Sequence, residues 1–150
     1  MTGTIMNDSE SIAWHEGEDP EMVNAINKAQ DSFDEFISAL LFTNDIEESL
    51  VKYMFPTTNP ACVCEHMFVS ELAFEDNDLY GYLYSTPQYA KDVKEGDKVL
   101  IKRDRVSDWL FVIDNKGTGG FTFRVMWSAF SNSEKEMYKS QPPFCWLNLA

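Results

Sequence analysis

The sequence predicts an α+β fold, in which a long N-terminal amphipathic helix packs on a curved, mainly antiparallel sheet of about five or six strands. The helix is predicted from apolar residues that recur every three or four positions between Met22 and Leu41 and so share one face. The sheet is predicted from the short runs that follow, which are rich in β-branched and aromatic residues and are separated by turn-forming residues. A short C-terminal helix completes the predicted order of elements.

A start signal precedes the long helix. Asp19 suits the N-cap position, Pro20 suits the first helical position, and Glu21 favours the positive end of the helix dipole. The face opposite the apolar stripe is polar, and its acidic side chains are candidates for contact with a partner. These candidates are Asp31, Asp34 and Glu35.

Turn-forming residues divide the strand region into short segments. The predicted strands are 49–55, 62–74, 79–85, 98–102, 108–114 and 120–127. The acidic sequence "EDND" at 75–78 predicts a hairpin turn between two of them. Ser131 and Glu134 form a capping box, which predicts the short helix at 132–139. The apolar tail at 144–150 is expected to pack back on the core.

A glycine cluster lies in "DNKGTGGFTFR", residues 114–124. Such a cluster can cradle a phosphate where a strand leads into a helix, or it can supply positive φ angles in a hairpin turn. Aromatic and β-branched residues follow the cluster, and no Gly-Lys-Ser/Thr ending occurs, so we expect a hairpin with its turn near 115–118. Asp108 and Arg124 would then form a structural ion pair near the hairpin base, and the functional alternative is that Arg124 binds an anion.

The formal net charge is −13, and it is unevenly spread. The first 60 residues hold twelve acids and two bases, whereas residues 98–150 hold five acids and eight bases. Nucleic acid and anionic membrane are disfavoured as partners, because both are bound through basic side chains. A partner protein with a basic surface is favoured, since opposite fields speed encounter, although acidity can also serve solubility alone. The acidic turn adds three candidate contacts, Glu75, Asp76 and Asp78.

The length of 150 residues fits one domain. Residues 1–18 are predicted to be a loose acidic arm, and residues 19–150 a single α+β domain. No apolar run approaches the ~20 residues that span a bilayer, and the N-terminus lacks the basic start and long apolar stretch of a secretory signal. Three cysteines without such a signal indicate reduced thiols, so the expected compartment is the cytoplasm.

Cys62, Cys64 and His66 alternate in "CVCEH" and would project from one face of a strand. They could supply three zinc ligands, with Cys145 or His15 as the fourth. Structural zinc sites usually pair two ligand clusters, and no second cluster occurs, so we expect the cysteines to be small core residues. A Cys64–His66 catalytic dyad is disfavoured, because neighbours on one strand face stand about 6.5–7 Å apart. The sequence thus predicts no metal, no cofactor and no catalytic residue.

Five segments together resemble the bacterial family known as domain of unknown function 2314, over roughly residues 20–127. In order, they are "SLVKYMF", "EHMFVS", "LYGYLYSTP", "VKEGDKVLIKRDRVSDWLFV" and "GTGGFTFRV". Phe68 stands where a tryptophan is expected. The family name states no activity, so the resemblance carries over no catalytic residue. It implies a small bacterial α+β protein, and some similar domains lie beside polymorphic toxin genes, where they look like immunity proteins.

The expected function is therefore that of a non-enzymatic binding protein. The resemblance implies an immunity protein that neutralises a cognate toxin, and the charge implies that its acidic surface meets a basic surface of that toxin. Two alternatives stay open. One is a housekeeping domain with no toxin involved, and the other is a small ligand-binding or metal-binding domain or enzyme that uses Cys62, Cys64, His66 or Arg124.

Overall fold

The computed structural model of the protein describes residues 12–14, 19–60 and 64–149. The strands are β1 Ile12–Trp14, β2 Glu48–Pro56, β3 Cys64–Glu75, β4 Asp78–Leu83, β5 Lys98–Leu100, β6 Val106–Ile113 and β7 Lys116–Gly119. The helices are α1 Pro20–Asp31, α2 Phe33–Phe42, α3 Phe121–Trp127 and α4 Asn132–Lys139. Short 3₁₀ helices lie at Arg103–Arg105 and Phe144–Leu147.

The strands form one open antiparallel sheet. Its main path runs β5-β4-β3-β2-β6-β7, and every neighbouring pair along it is antiparallel. β1 lies off this path and pairs with the start of β3, where Ile12 is opposite His66 and Trp14 is opposite Cys64. The sheet and the surrounding helices confirm the predicted α+β class and the mainly antiparallel sheet.

Helices cover both faces of the central strands. Val51 and Trp109 point to the face on which α1 and α2 pack, together with the fully buried Phe36. Their chain neighbours Leu50 and Leu110 point to the opposite face, which is covered by α3, α4 and the C-terminal 3₁₀ helix. The sequence predicted a long helix on one face only, so the second helical layer is a finding of the structure.

The long predicted helix is two helices that meet at Ser32. Its start is confirmed, because the Asp19 carboxylate accepts the N–H of Glu21 at 3.0 Å and Pro20 is the first helical residue. The hydroxyl of Ser32 donates to the carbonyl of Lys28 at 2.6 Å, and the backbone N–H of Ser32 bonds the same carbonyl. A serine that competes for backbone groups in this way favours a helix end.

Residues 121–127 form a helix, and the prediction of a strand at 120–127 is wrong. A hairpin does follow β6, but its two-residue turn is Asp114-Asn115, with φ angles of 51° and 59°. The glycines lie further along, on β7 and at the start of α3, where Gly120 has a φ of 70°. Gly119 is required by close packing, since a Cβ there would lie 2.1 Å from the carbonyl oxygen of Trp109.

The C-terminal elements agree with the sequence. The capping box of Ser131 and Glu134 is present, and α4 follows it directly. Phe144 and Leu147 of the tail are buried against the core. Within the predicted arm, residues 12–14 form β1, and the rest of residues 1–18 lies outside the described part of the chain. In the described part, no helix has the length and apolar character needed to cross a membrane.

Candidate functional site

One face of the sheet is covered over only part of its width. Tyr80, Tyr82 and Tyr84 alternate along β4 and its extension with residues that point to the α1–α2 face, so they point to the α3–α4 face. Tyr82 and Tyr84 are 40% and 42% exposed, and Leu100, opposite Tyr80 on β5, is 37% exposed. We call Tyr80, Tyr82, Tyr84 and Leu100 the tyrosine face. It is an open apolar and hydroxyl-bearing surface on the edge strand β5 and the neighbouring strand β4.

A cleft of about 580 Å³ lies where the tyrosine face meets the helical layer. Its apolar lining includes Leu50 and Phe68 of the sheet, Phe144 of the C-terminal tail, and the neighbouring Pro142-Pro143 pair. Tyr84 belongs both to the tyrosine face and to the cleft lining. The open surface therefore leads directly into a concave site, which is the usual form of a binding pocket.

The polar lining of this cleft is acidic. Glu47, Glu48 and Glu71 line it, and the described part of the chain contributes no lysine, arginine or histidine to the lining. The Glu47 carboxylate accepts the backbone N–H of Asn115 at 2.8 Å, which fixes its position. Glu71 lies in a bulge of β3, where the pairing with β4 shifts register, and its φ is 53°. Carboxylates around an apolar floor suit a cation that also carries an apolar stem.

The three acids of the predicted turn lie at the end of the tyrosine face. Glu75 and Asp78 are the last paired residues of the β3–β4 hairpin, and Asp76 has a φ of 58° in its turn. Glu75 forms an ion pair with Lys98, whose ammonium lies 4.7 Å from the centre of the Tyr80 ring. The acidic turn is thus a neighbour of the open surface.

The three helical acids belong to another part of the surface. Asp31, Asp34 and Glu35 are exposed at the junction of α1 and α2, and none of them lines the cleft. Asp34 forms an ion pair of 2.8 Å with Arg103. The structure therefore divides the six predicted partner-binding acids between the helices and the hairpin end.

Asp108 and Arg124 do not bond each other. The Asp108 carboxylate accepts the backbone N–H groups of Phe121, Thr122 and Phe123 at the start of α3, and also the Thr122 hydroxyl at 2.6 Å. Arg124 donates to the carbonyls of Gly119 and Leu147 instead. Two separate backbone contacts replace the expected ion pair, because residues 121–127 are helical. A strand–glycine–helix junction does exist, and its anion is the protein's own Asp108.

Residues 19–144 match the family described as an uncharacterized protein conserved in bacteria, DUF2314. The chain belongs to this family. The match covers all of the sheet except β1, together with all four α-helices of the described part. It confirms the resemblance seen in the five sequence segments, and the family description states no activity.

Two curated relatives of this DUF2314 chain are distant. A putative ankyrin repeat protein of Neisseria meningitidis serogroup B is 33% identical over 73 residues, which are 49% of this chain and 29% of that protein. The uncharacterized protein YegJ of Escherichia coli K12 is 23% identical over 120 residues, 80% of this chain and 76% of that protein. The chain thus spans less than a third of the Neisseria protein. No solved structure gives a significant match.

This DUF2314 chain has a buried lysine that was not predicted from the sequence. Lys52 is only 3% exposed, and its ammonium donates to the Thr122 hydroxyl at 2.9 Å, which in turn donates to Asp108. Burial lowers the pKa of Lys52 to about 8, and the charge of Asp108 opposes this shift. The signal was present as a lone lysine inside the apolar strand "SLVKYMF".

Cys64 and His66 are both buried, and the Cys64 Sγ lies 3.5 Å from the His66 Nε2. Their side chains lean together, so the separation of about 6.5–7 Å expected for strand neighbours does not apply to these atoms. Burial, followed by the charges of Lys52 and Arg105, lowers the pKa of His66 to about 3, which keeps the imidazole neutral near pH 7. Cys62 and His15 lie outside the described residues. Within the described ranges, no three His, Cys, Asp or Glu side chains form a group able to hold a metal ion.

Proposed function

We propose that this DUF2314 protein is a non-enzymatic binding protein of the immunity type, which neutralises a toxin in the bacterial cytoplasm by direct contact with a basic surface of that toxin. The observation that carries the proposal is the acidic cleft that opens from the tyrosine face. Toxin neutralisation rests on the family resemblance, and recognition of a basic surface rests on charge and geometry.

The tyrosine face has the composition of a protein-binding surface. Tyrosine is enriched at interfaces because its ring buries a large area while its hydroxyl still bonds to polar groups. Tyr82, Tyr84 and Leu100 are exposed on β4, its extension and the edge strand β5, where they offer such a surface without unfolding of any element. The Neisseria relative is named for ankyrin repeats, which form extended binding surfaces, and this name is compatible with a binding role.

The charge distribution favours a basic partner. The net charge of −13 creates a negative field, which speeds the approach of a positive surface and makes the rate sensitive to salt. The acidic turn and the cleft lie at opposite ends of the tyrosine face, so negative groups flank its apolar centre. A polar, charged rim around an apolar centre is a common arrangement of specific interfaces.

The partner is sought by co-expression of the chain with the protein encoded beside its gene. The proposal predicts a complex that survives purification, together with relief of growth inhibition when that neighbour is expressed. The proposal is wrong if the neighbour is harmless when expressed alone and if no basic protein is retained at high protein concentration.

The contact between Cys64 and His66 favours a second candidate, a thiol-dependent enzyme or ligand-binding domain. Full-length protein is treated with a small alkylating agent, and modified cysteines are located by mass spectrometry. Preferential modification of Cys64 over the partly exposed Cys145 near neutral pH supports this candidate. Modification of Cys145 alone removes it, because a thiol that stays unmodified does not act as a nucleophile.

A further inference from the structure

We infer that the acidic cleft binds an arginine side chain presented by a basic segment of a partner protein. The inference rests on the proposed function, because it takes the ligand to be part of a protein. It goes further by assigning the cleft, rather than the acidic turn or the helices, as the place where one partner side chain is held.

The floor of the cleft suits the stem and the planar head of arginine. Leu50, Phe68 and Phe144 provide apolar contacts for the three methylene groups, and Tyr84 provides an exposed ring at the entrance. A guanidinium stacks on aromatic faces and is less strongly hydrated than an ammonium, so it loses less hydration free energy on entering such a site. The volume of about 580 Å³ leaves room for the side chain and adjoining backbone.

The charge of the cleft complements this ligand. Elsewhere on the surface, Asp34 pairs with Arg103 and Glu75 pairs with Lys98, so the protein's own bases already meet those acids. Among the residues that the structure describes, no base lines the cleft around Glu47 and Glu71. A partner's guanidinium would supply the missing positive charge, and its fork geometry suits a carboxylate better than a lysine ammonium does.

The two glutamates lie in different segments of the fold. Glu47 precedes β2 and is fixed by its bond to the N–H of Asn115, in the turn of the β6–β7 hairpin. Glu71 and Leu72 fall where the β3–β4 pairing shifts register, and both line the cleft. The bulge therefore brings the acidic residue Glu71 to the cleft wall, whereas the Leu72 side chain packs against the α1–α2 core. The fixed position of the Glu47 carboxylate lowers the ordering cost of binding.

The test is an NMR titration of the full chain with blocked tripeptides, acetyl-Gly-Arg-Gly-amide and its lysine and citrulline counterparts. The arginine peptide is expected to shift the amide signals of Ser49, Ser70 and Glu71 with saturation, and the uncharged citrulline peptide is expected to give no saturable shift. Glu71→Gln is expected to weaken binding of the arginine peptide by about tenfold or more, the effect of losing one charge-assisted hydrogen bond. Glu35→Gln, the same charge change on the helical surface, should leave the affinity unchanged.

Equal binding of the citrulline peptide, or equal weakening by the two glutamine variants, overturns the inference. If Glu71→Gln fails to fold by its amide spectrum, Glu47→Gln and Tyr84→Ser are used, and unchanged affinity in both has the same consequence. If a basic partner protein binds wild type and Glu71→Gln equally, the cleft is not the arginine site although the proposed function stands. If the peptide occupies the cleft but no protein partner exists, the proposed function fails on its own.

Discussion

At the scale of single residues, two buried titratable side chains on β2 and β3 have pKa values that differ from their ordinary ones. Lys52 and His66 lie two strand positions apart across the β2–β3 pair, since Lys52 is opposite Phe68 and Met54 is opposite His66. Both have a lowered pKa, mainly because burial disfavours the charged form. Each therefore makes the stability of the fold depend on pH in its own range.

Lys52 makes the protein more stable as the pH rises above 8. The folded state has a lysine pKa of about 8 against the ordinary value of 10.5, so between these values the unfolded state binds more protons. The free energy of unfolding should increase across this range, with a contribution on the order of 3 kcal/mol. Urea denaturation at pH 7.5 and 9.5 should show a smaller increase for Lys52→Met than for wild type. The exposed control Lys28→Met should retain the wild-type increase, and an identical pH response in Lys52→Met would contradict the account.

His66 makes the protein less stable as the pH falls below 6.5. Its folded-state pKa is about 3, with Lys52 and Arg105 as the neighbouring charges that add to burial, so protonation favours the unfolded state between pH 6.5 and 3. Stability is full above the unfolded value and is lost progressively toward pH 3. Between pH 6.5 and 4.5, wild type should lose more unfolding free energy than His66→Gln in denaturant titrations. A loss that is equal in the two proteins would show that His66 is not the buried neutral group described here.

At the scale of elements, Asp108 decides the conformation of the segment after the glycines. It accepts the first N–H groups of α3 from its position on β6, and so it satisfies donors that a short helix would otherwise leave unpaired. The aromatic and β-branched residues of "FTFRVMW" favour a strand locally. Their tertiary contacts instead bury Phe123, Met126 and Trp127 in the α3–α4 core.

Removing the charge of Asp108 should destabilise α3 in particular. Asp108→Asn keeps one acceptor oxygen but loses the charge–dipole interaction and part of the hydrogen bonding, at a cost of about 2 kcal/mol. Thermal and urea unfolding measure this cost. Asp114→Asn is the control, because Asp114 is exposed in the β6–β7 turn and asparagine also tolerates its positive φ. The capping role is refuted if the two variants have equal stability.

The sequence predicted the elements that depend on neighbouring residues and missed those that depend on distant ones. The start of α1, the capping box of α4 and the hairpin at Glu75–Asp78 follow from neighbours in the sequence, and all three are present. The helix at 121–127 depends on Asp108, thirteen or more positions earlier, so no local sequence pattern predicts it. The cleft brings together four separate segments of the chain, for which the sequence offers no common signal.

At the scale of the whole molecule, one half of a sheet face is covered and the other half is open. Helices α3 and α4 and the tail bury the part formed by β2 and β6, whereas the part formed by β4 and β5 carries the tyrosine face. The cleft marks the boundary between the two halves. Because the chain carries a net negative charge, the rate of encounter with a basic partner should depend on the acids near this boundary and at the hairpin end.

Charge reversal at the hairpin end tests this dependence. The triple change Glu75→Lys, Asp76→Lys and Asp78→Lys should slow association with a basic partner about tenfold at low salt and should flatten the dependence of the rate on ionic strength. The dissociation rate should change little. Stopped-flow or surface-based kinetics provide both rates, and Asp31→Lys, Asp34→Lys and Glu35→Lys form the matched triple on the helices. If the hairpin variant keeps wild-type kinetics, the acidic turn does not belong to the interface.

The central claim is that the tyrosine face and its acidic cleft hold a protein partner. The most direct measurement is the equilibrium affinity of the full chain for the protein encoded beside its gene, with the double change Tyr82→Ser and Tyr84→Ser. The account predicts a loss of affinity of at least about a hundredfold, since aromatic side chains at the centre of an interface dominate its energy. Phe42→Ser, which removes an aromatic side chain that is 81% exposed on α2, should leave the affinity unchanged. Wild-type affinity in the double variant, or an equal loss in Phe42→Ser, would contradict the account.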